Sequence, residues 1–188
     1  LMKGYAGTVN FSSSDPSAVL PLNYAFVAAV DLGAHLFTNA VKLLTPGTHT
    51  LTVTDVSTPS LTATQSAITV TGPIYQSSSY SHANSELAVT FDRNVDSQTA
   101  TPSQITLQNA LTSPTESFTL TEPAKSASGP MLSFVLTAAH RDMIARWAAT
   151  APNLVISLLG TAVRNLLGGF IVPQAAVALA TWTKDTAG

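Results

Sequence analysis

The run Thr48-His49-Thr50-Leu51-Thr52-Val53-Thr54 decides the fold class. It alternates with period two, putting Leu51 and Val53 on one face and threonine hydroxyls on the other, the pattern of a half-buried β-strand. The same alternation appears upstream in Thr8-Val9-Asn10-Phe11-Ser12 and downstream in Ala67-Ile68-Thr69-Val70-Thr71. Turn chemistry separates these runs: Ser14-Asp15-Pro16, Thr45-Pro46-Gly47 and Ser57-Thr58-Pro59-Ser60. Short strands punctuated this way predict an antiparallel β-sandwich over residues 1–71.

Gly72-Pro73 ends the pattern, and Gln76 to Asn84, with four serines, reads as a polar boundary segment. A second domain, residues 72–188, restarts at Glu86-Leu87-Ala88-Val89-Thr90-Phe91, where Leu87, Val89 and Phe91 share a face. Further strands are expected at 104–108, 117–121, 132–136, 154–159, 169–172 and 176–182. One short helix interrupts them near 138–148, capped by Thr137, with Met143, Ile144 and Trp147 as a stripe facing the sandwich edge. Leu154 to Val172 carries a single charge, Arg164, and is close to membrane-spanning length. Arg164 and Asn165 near its middle, the Gly168-Gly169 turn and the bracketing Pro152 and Pro173 instead predict two strands and no membrane span.

Composition narrows the function. Eight Lys+Arg stand against 10 Asp+Glu, a net charge of −2 in 188 residues, and only 10% of residues are charged. Twenty-six Thr and 20 Ser supply most of the polarity. No basic excess exists to neutralise phosphates, so nucleic-acid binding is not expected. Without cysteine there is neither a disulfide framework nor a thiolate metal site. The start, Leu1-Met2-Lys3-Gly4-Tyr5, lacks the charged, apolar and small-residue order of a signal peptide, so an extracellular chain beginning here is expected to be a piece of something longer.

Candidate site residues are few. His49 is expected on the outer face of its strand, His82 in the polar boundary segment and His140 in the first helical turn; with no i, i+4 pairing they predict no zinc site. There is no Gly-x-Ser-x-Gly elbow and no phosphate-cradling glycine loop, and Glu86, Glu116 and Glu122 are the only glutamates. No catalytic residue is therefore assigned. Calcium is the one cofactor considered, with Glu86, Asp92 and Asp96 as weak candidate ligands lacking an Asp-x-Asp pair. Asn10, in the sequon Asn10-Phe11-Ser12, is a glycosylation candidate on the outer face; Thr45, Thr58, Thr101 and Ser113 before prolines are weaker O-glycan candidates. Tyr75, Tyr80 and Trp182 are the aromatics that a binding surface would expose.

Gly7 to Pro16, Ala18 to Pro21, Tyr24-Ala25-Phe26, Asp31 to Phe37 and Gly47 to Asp55 together resemble the bacterial immunoglobulin-like repeat of very long surface and secreted proteins. In such domains Asp31, Gly33 and His35 would form a structural corner, Asp31 accepting backbone hydrogen bonds and the ring packing the turn. Leu87 to Asp96, Ile105 to Gln108, the helix at 138–148 and Trp182 to Thr186 resemble a second immunoglobulin-like repeat type, found in tandem in large extracellular proteins of bacteria, algae and protists. Val163 to Gly169 departs from that repeat's acidic turn. The resemblance implies one or two strands before Gly4, supplied by a longer tandem array or by strand addition from a neighbouring subunit. The expectation is thus an all-β chain of two tandem immunoglobulin-like sandwiches, a non-catalytic structural segment of an extracellular surface or filament-forming protein. Its partners would be neighbouring repeats or identical subunits. The alternatives are a carbohydrate- or protein-binding adhesion module and an accessory domain of a secreted enzyme.

Overall fold

A computed structural model describes residues 2–125, 129–150 and 153–183, the last three as backbone alone. Pro152, the Trp182 side chain and the Lys184-Asp185-Thr186 segment therefore lie outside the described residues. The chain divides into two compact units, Leu1–Thr71 and Gly72–Gly188. Strands dominate both, and the chain is all-β with little helix.

The first unit contains β1 (Thr8–Ser13), β2 (Tyr24–Ala25), α1 (Ala28–Asp31), β3 (Gly47–Asp55) and β4 (Thr62–Val70). Its strands form one antiparallel sheet in the order β2-β1-β3-β4. Cross-strand partners Phe11, Val53 and Ala63 share a face, as do Asn10, Thr54 and Thr62 on the opposite face. On the polar face hydroxyls pair across β3 and β4, Thr52 with Thr64 at 2.8 Å and Thr54 with Thr62 at 2.9 Å. The expected sandwich is thus one sheet among the described residues. Between β1 and β3, where Pro16 and Pro21 interrupt the chain, the pairing outside this sheet among the described residues is one antiparallel bridge, Val19 and Lys42 exchanging backbone bonds of 2.9 Å. What covers the apolar face is a ring cluster: Phe37 meets Phe11 edge-on at 4.9 Å and Tyr24 at 5.3 Å, and Tyr5 meets Phe26 at 5.1 Å.

A bulge interrupts β4. Gln65 faces Leu51 and Ile68 faces His49, so Ser66 and Ala67 together oppose Thr50, and Ala67 takes φ +56°. The extra residue brings Ile68 and Val70 into phase with the face that Ala63 and Gln65 occupy.

The second unit contains β5 (Tyr75–Ser81), β6 (Glu86–Asp96), β7 (Ile105–Gln108), β8 (Ser117–Thr119), β9 (Gly129–Val135), α2 (Ala138–Thr150), β10 (Val155–Leu158), β11 (Arg164–Asn165), β12 (Gln174–Ala178) and β13 (Thr181–Thr183). One sheet runs β12-β10-β7-β8; the other runs β11-β6-β5-β13, with β9 also on β6. All pairings are antiparallel except β13 with β5. A single apolar core joins the two sheets, with Leu87, Val89, Phe134, Ile105, Leu107 and Ile156 essentially inaccessible. Helix α2 buries Ile144 and Trp147 against it, and the Trp147 ring stacks on Phe118 at 5.4 Å.

Two expectations are corrected here. Most of the polar segment 76–84 is strand β5, an internal strand whose buried positions are Ser78 and Tyr80, and the Ser78 hydroxyl is satisfied by Tyr75 at 2.8 Å. Residues 169–172 contribute only a bridge from Phe170 to Arg164, because Gly168 at φ +88° closes a very tight turn. Leu154 to Val172 is β10, a loop and this turn, and no helix among the described residues is long and apolar enough to cross a membrane.

Candidate functional site

Four buried or part-buried carboxylates organise the loops, and each faces backbone N–H groups. Asp15, 4% exposed, accepts from Ser17 N at 2.9 Å, Leu44 N at 2.6 Å and Thr45 N at 3.1 Å, tying the turn after β1 to the approach of β3. Burial pushes its carboxyl up, but the hydrogen bonds from Thr45, Ser17 and Leu44 outweigh that and hold it at about 2. Beside it His49 is buried, with Nε2 2.8 Å from Thr45 O and Nδ1 3.4 Å from Ser14 Oγ. The expectation of an outward His49 is therefore overturned. Its ring polarity is met by the Thr45 carbonyl, so it can share the face of Leu51 and Val53. Neither ring nitrogen meets a carboxylate, so Ser14, His49 and Asp15 do not form a nucleophile–base–acid relay.

Asp55 closes the β3–β4 turn by accepting from Ser57 N at 2.8 Å and Thr58 N at 2.6 Å, and it also accepts the Tyr5 hydroxyl. That last bond is the main cause that lowers Asp55 and raises Tyr5 to about 12, fixing the proton on tyrosine. Gly7 lies against this pair; a Cβ there would overlap both the Asp55 carboxylate and the Tyr5 ring. Next to it a cleft of about 230 Å³ is lined by Tyr5, Val9, Val53, Asp55, Leu61, Thr62 and Ala63.

Asp31, Gly33 and His35 come together. The Asp31 carboxylate accepts from Val27 N at 2.7 Å, the Tyr24 hydroxyl at 2.9 Å and His35 Nδ1 at 3.0 Å, and Tyr24 stacks on the imidazole at 3.9 Å. The Val27 bond leads the causes that lower the Asp31 carboxyl, with Tyr24 and His35 adding to it. Gly33 sits at φ +82° against the Met2 carbonyl, a conformation and a closeness that a side chain would strain.

In the second unit Glu122, 6% exposed, accepts from Thr121 N at 3.0 Å, Thr137 N at 2.8 Å and His140 Nδ1 at 2.6 Å, pinning the start of α2. Burial raises its carboxyl, but these donors prevail and bring it to about 2. The His140 ring lies flat on Phe118 at 4.1 Å, and Glu116 accepts the Trp147 indole N–H. A carboxyl held this low is a weak base, and its lone pairs are taken up by two backbone N–H groups and the His140 ring.

The calcium candidates are not gathered. Glu86 pairs with Lys125 Nζ at 2.9 Å, Asp92 with Arg93 and Ile74 N at 2.7 Å each, and Asp96 caps a short 3₁₀ turn through Gln98 N at 3.0 Å. Among the described residues no group of three or more His, Asp or Glu is placed to hold a metal ion. Asn10 is exposed on the polar face, its Nδ2 2.9 Å from Asn23 Oδ1. Of the candidate binding aromatics, Tyr80 is buried in the core and Tyr75 is half-buried. His82 lies in the turn between β5 and β6, next to the Tyr80 ring.

The roles of Asp15, Asp55 and Glu122 were missed at the level of sequence. Asp15 and Asp55 each stand two residues before a serine in a proline-containing turn, the local signature of an Asx turn. Glu122 has no such signal, because Thr137 and His140 are distant in the chain. In comparisons with protein-family models, with curated proteins and with solved structures, nothing matched the chain.

Proposed function

We propose that this chain is a non-catalytic structural segment of a large extracellular surface or filament-forming protein, serving as spacer, stiffener or assembly unit. One observation carries the reading: Asp15, Asp31, Asp55 and Glu122 all fasten loops to strands or helix, and of the four Asp55 alone lines the cleft beside Tyr5. Charge-assisted hydrogen bonds of this kind resist the local fraying of turns. The largely uncharged Ser/Thr surface fits close packing of copies, since it limits repulsion between them. The resemblance of both units to immunoglobulin-like repeats supports an extracellular tandem array.

Electron microscopy of native material that contains this chain tests the reading. Regular filaments or extended, beaded chains are the expected result. Compact particles that turn over a substrate, or that hold a glycan through the half-exposed rings of Tyr24, His35 and Phe37, would replace it with an enzyme or an adhesion module.

A further inference from the structure

Among the described residues the far edge of β4 carries no partner strand in its sheet. β4 ends the sheet, every residue from Thr62 to Ala67 is exposed, and no Asp, Glu, Lys or Arg occurs between Asp55 and Glu86. Natural sheets blunt such edges with charge or proline. The edge from Thr62 to Gln65 has neither, and the β4 bulge comes only after it.

Register shows which groups point outward. Asp55 N donates to Leu61 O, and Thr54 faces Thr62, so 55:61, 53:63 and 51:65 are the hydrogen-bonded pairs of the β3–β4 ladder. Val56 N donates to Thr8 O on the other side of β3, which gives the same phase. The N–H and C=O of Thr62 and Thr64 therefore point away from β3.

We propose that this edge pairs antiparallel with the same edge of a second copy, about a two-fold axis at Ala63. Thr62 of each copy lies opposite Thr64 of the other, and the four outward groups on each edge are satisfied by reciprocal backbone bonds. Ala63 meets its counterpart in the close, non-hydrogen-bonded pair that suits a small side chain. Faces match across the axis, so the threonine rows of the two sheets become one continuous row and the apolar faces lie on the same side. With no charge along the edge, nothing repels the identical partner. This names the partner of the proposed assembly unit and rests on that reading for its biological setting, whereas the geometry stands on β4 alone.

The chain has no cysteine, which gives a direct test. In the full chain Ala63→Cys places two thiols across the axis at about 4.5 Å between Cα atoms, within disulfide range. Gln65→Cys places them about 14 Å apart, beyond it. On mild oxidation at micromolar concentration Ala63→Cys is expected to give about tenfold more disulfide dimer than Gln65→Cys. Thr64→Pro, which removes an outward N–H and no ladder bond, is expected to abolish the concentration-dependent dimer in sedimentation velocity. Circular dichroism checks that each variant folds. Equal crosslinking of the two cysteine variants, or a wild-type chain that stays monomeric with no Ala63→Cys dimer, overturns the proposal. Protection of the Thr62 and Thr64 amides from exchange in the monomer does so too, since another strand of the same chain would then hold the edge. Extended beaded chains in the microscope would survive any of these failures, so loss of the edge dimer and loss of the spacer reading are separable.

Discussion

The two units are held together by different physics. In the second, apolar side chains from two sheets and one helix meet in a continuous core, with Leu87, Val89, Ile105, Phe134 and Ile156 almost fully removed from water. In the first, Val9 at 7% exposure is the only buried apolar side chain among the described residues, while Leu22, Val30 and Leu36 are 75–90% exposed. What replaces a core there is a set of half-buried rings and the three carboxylates Asp15, Asp31 and Asp55, each on two or more donors. Two-sheet burial makes a unit tolerant of losing one polar contact. A single sheet with a loop layer depends on its polar fastenings.

The sharpest break in the comparison comes from the core. Phe134→Ala in β9 should cost the second unit about 3–5 kcal/mol, read by urea unfolding through tryptophan emission. Both tryptophans lie in residues 72–188, so this signal reports the second unit alone. Hydrogen exchange at the β1 and β3 amides should show the first unit unchanged.

Backbone geometry comes next. Gly33→Ala should destabilise the first unit by about 1–3 kcal/mol, since alanine at φ +82° is strained and its Cβ has no room beside the Met2 carbonyl. Hydrogen exchange at Ala34 and Val27, whose neighbours form that turn, is the measurement.

Acid should separate the units further. Asp15 and Glu122 are both lowered, from 3.8 and 4.5 to about 2. A depressed carboxyl contributes stability that is fully present above its unfolded pKa and is lost as pH falls through the folded one. The window therefore runs from pH 3.8 down to about 2 for Asp15 and from pH 4.5 down to about 2 for Glu122. Each group contributes on the order of 1 kcal/mol once solvent screening is counted. The second unit has a core in reserve, so on acid titration the first unit should unfold at the higher pH, seen as loss of far-UV signal before tryptophan emission shifts. Simultaneous loss would remove the contrast.

The smallest effect belongs to the exposed hydroxyl row. Thr52→Val, which removes one partner of the Thr52–Thr64 contact, should change stability by no more than about 0.5 kcal/mol. A larger loss in thermal melting would mean that the polar face carries more of the first unit than its rings and carboxylates do.

Much of this was legible in the residues. Period-two alternation marked β1, β3, the end of β4 and the start of β6, and Thr137 with Ile144 and Trp147 marked α2, because burial on one face imposes those spacings. β5 was illegible: its inward positions are Ser78 and Tyr80, so a strand inside a sheet looked like a linker. The bulge at Ser66-Ala67 was hidden too, although Ala63 and Ile68 have opposite parity and only an extra residue can put both on one face. His49 shares parity with Leu51 and Val53; its polarity argued for the surface, and the Thr45 carbonyl that satisfies it comes from the preceding turn. At the level of the site, the Asp31–His35 contact joins residues four apart in the chain, whereas the Glu122–His140 pair depends on tertiary contact alone.

The claim that carboxylates hold the first unit while a core holds the second is tested most directly by amide hydrogen exchange on the whole chain at pH 7 and about pH 1.5, corrected for intrinsic exchange at each pH. The account predicts that Ser17, Leu44, Thr45, Ser57 and Thr58 lose protection at about pH 1.5, below the folded Asp15 value, while β6, β9 and β10 keep theirs. Protection that persists at those five amides, or that falls equally in both units, would contradict it.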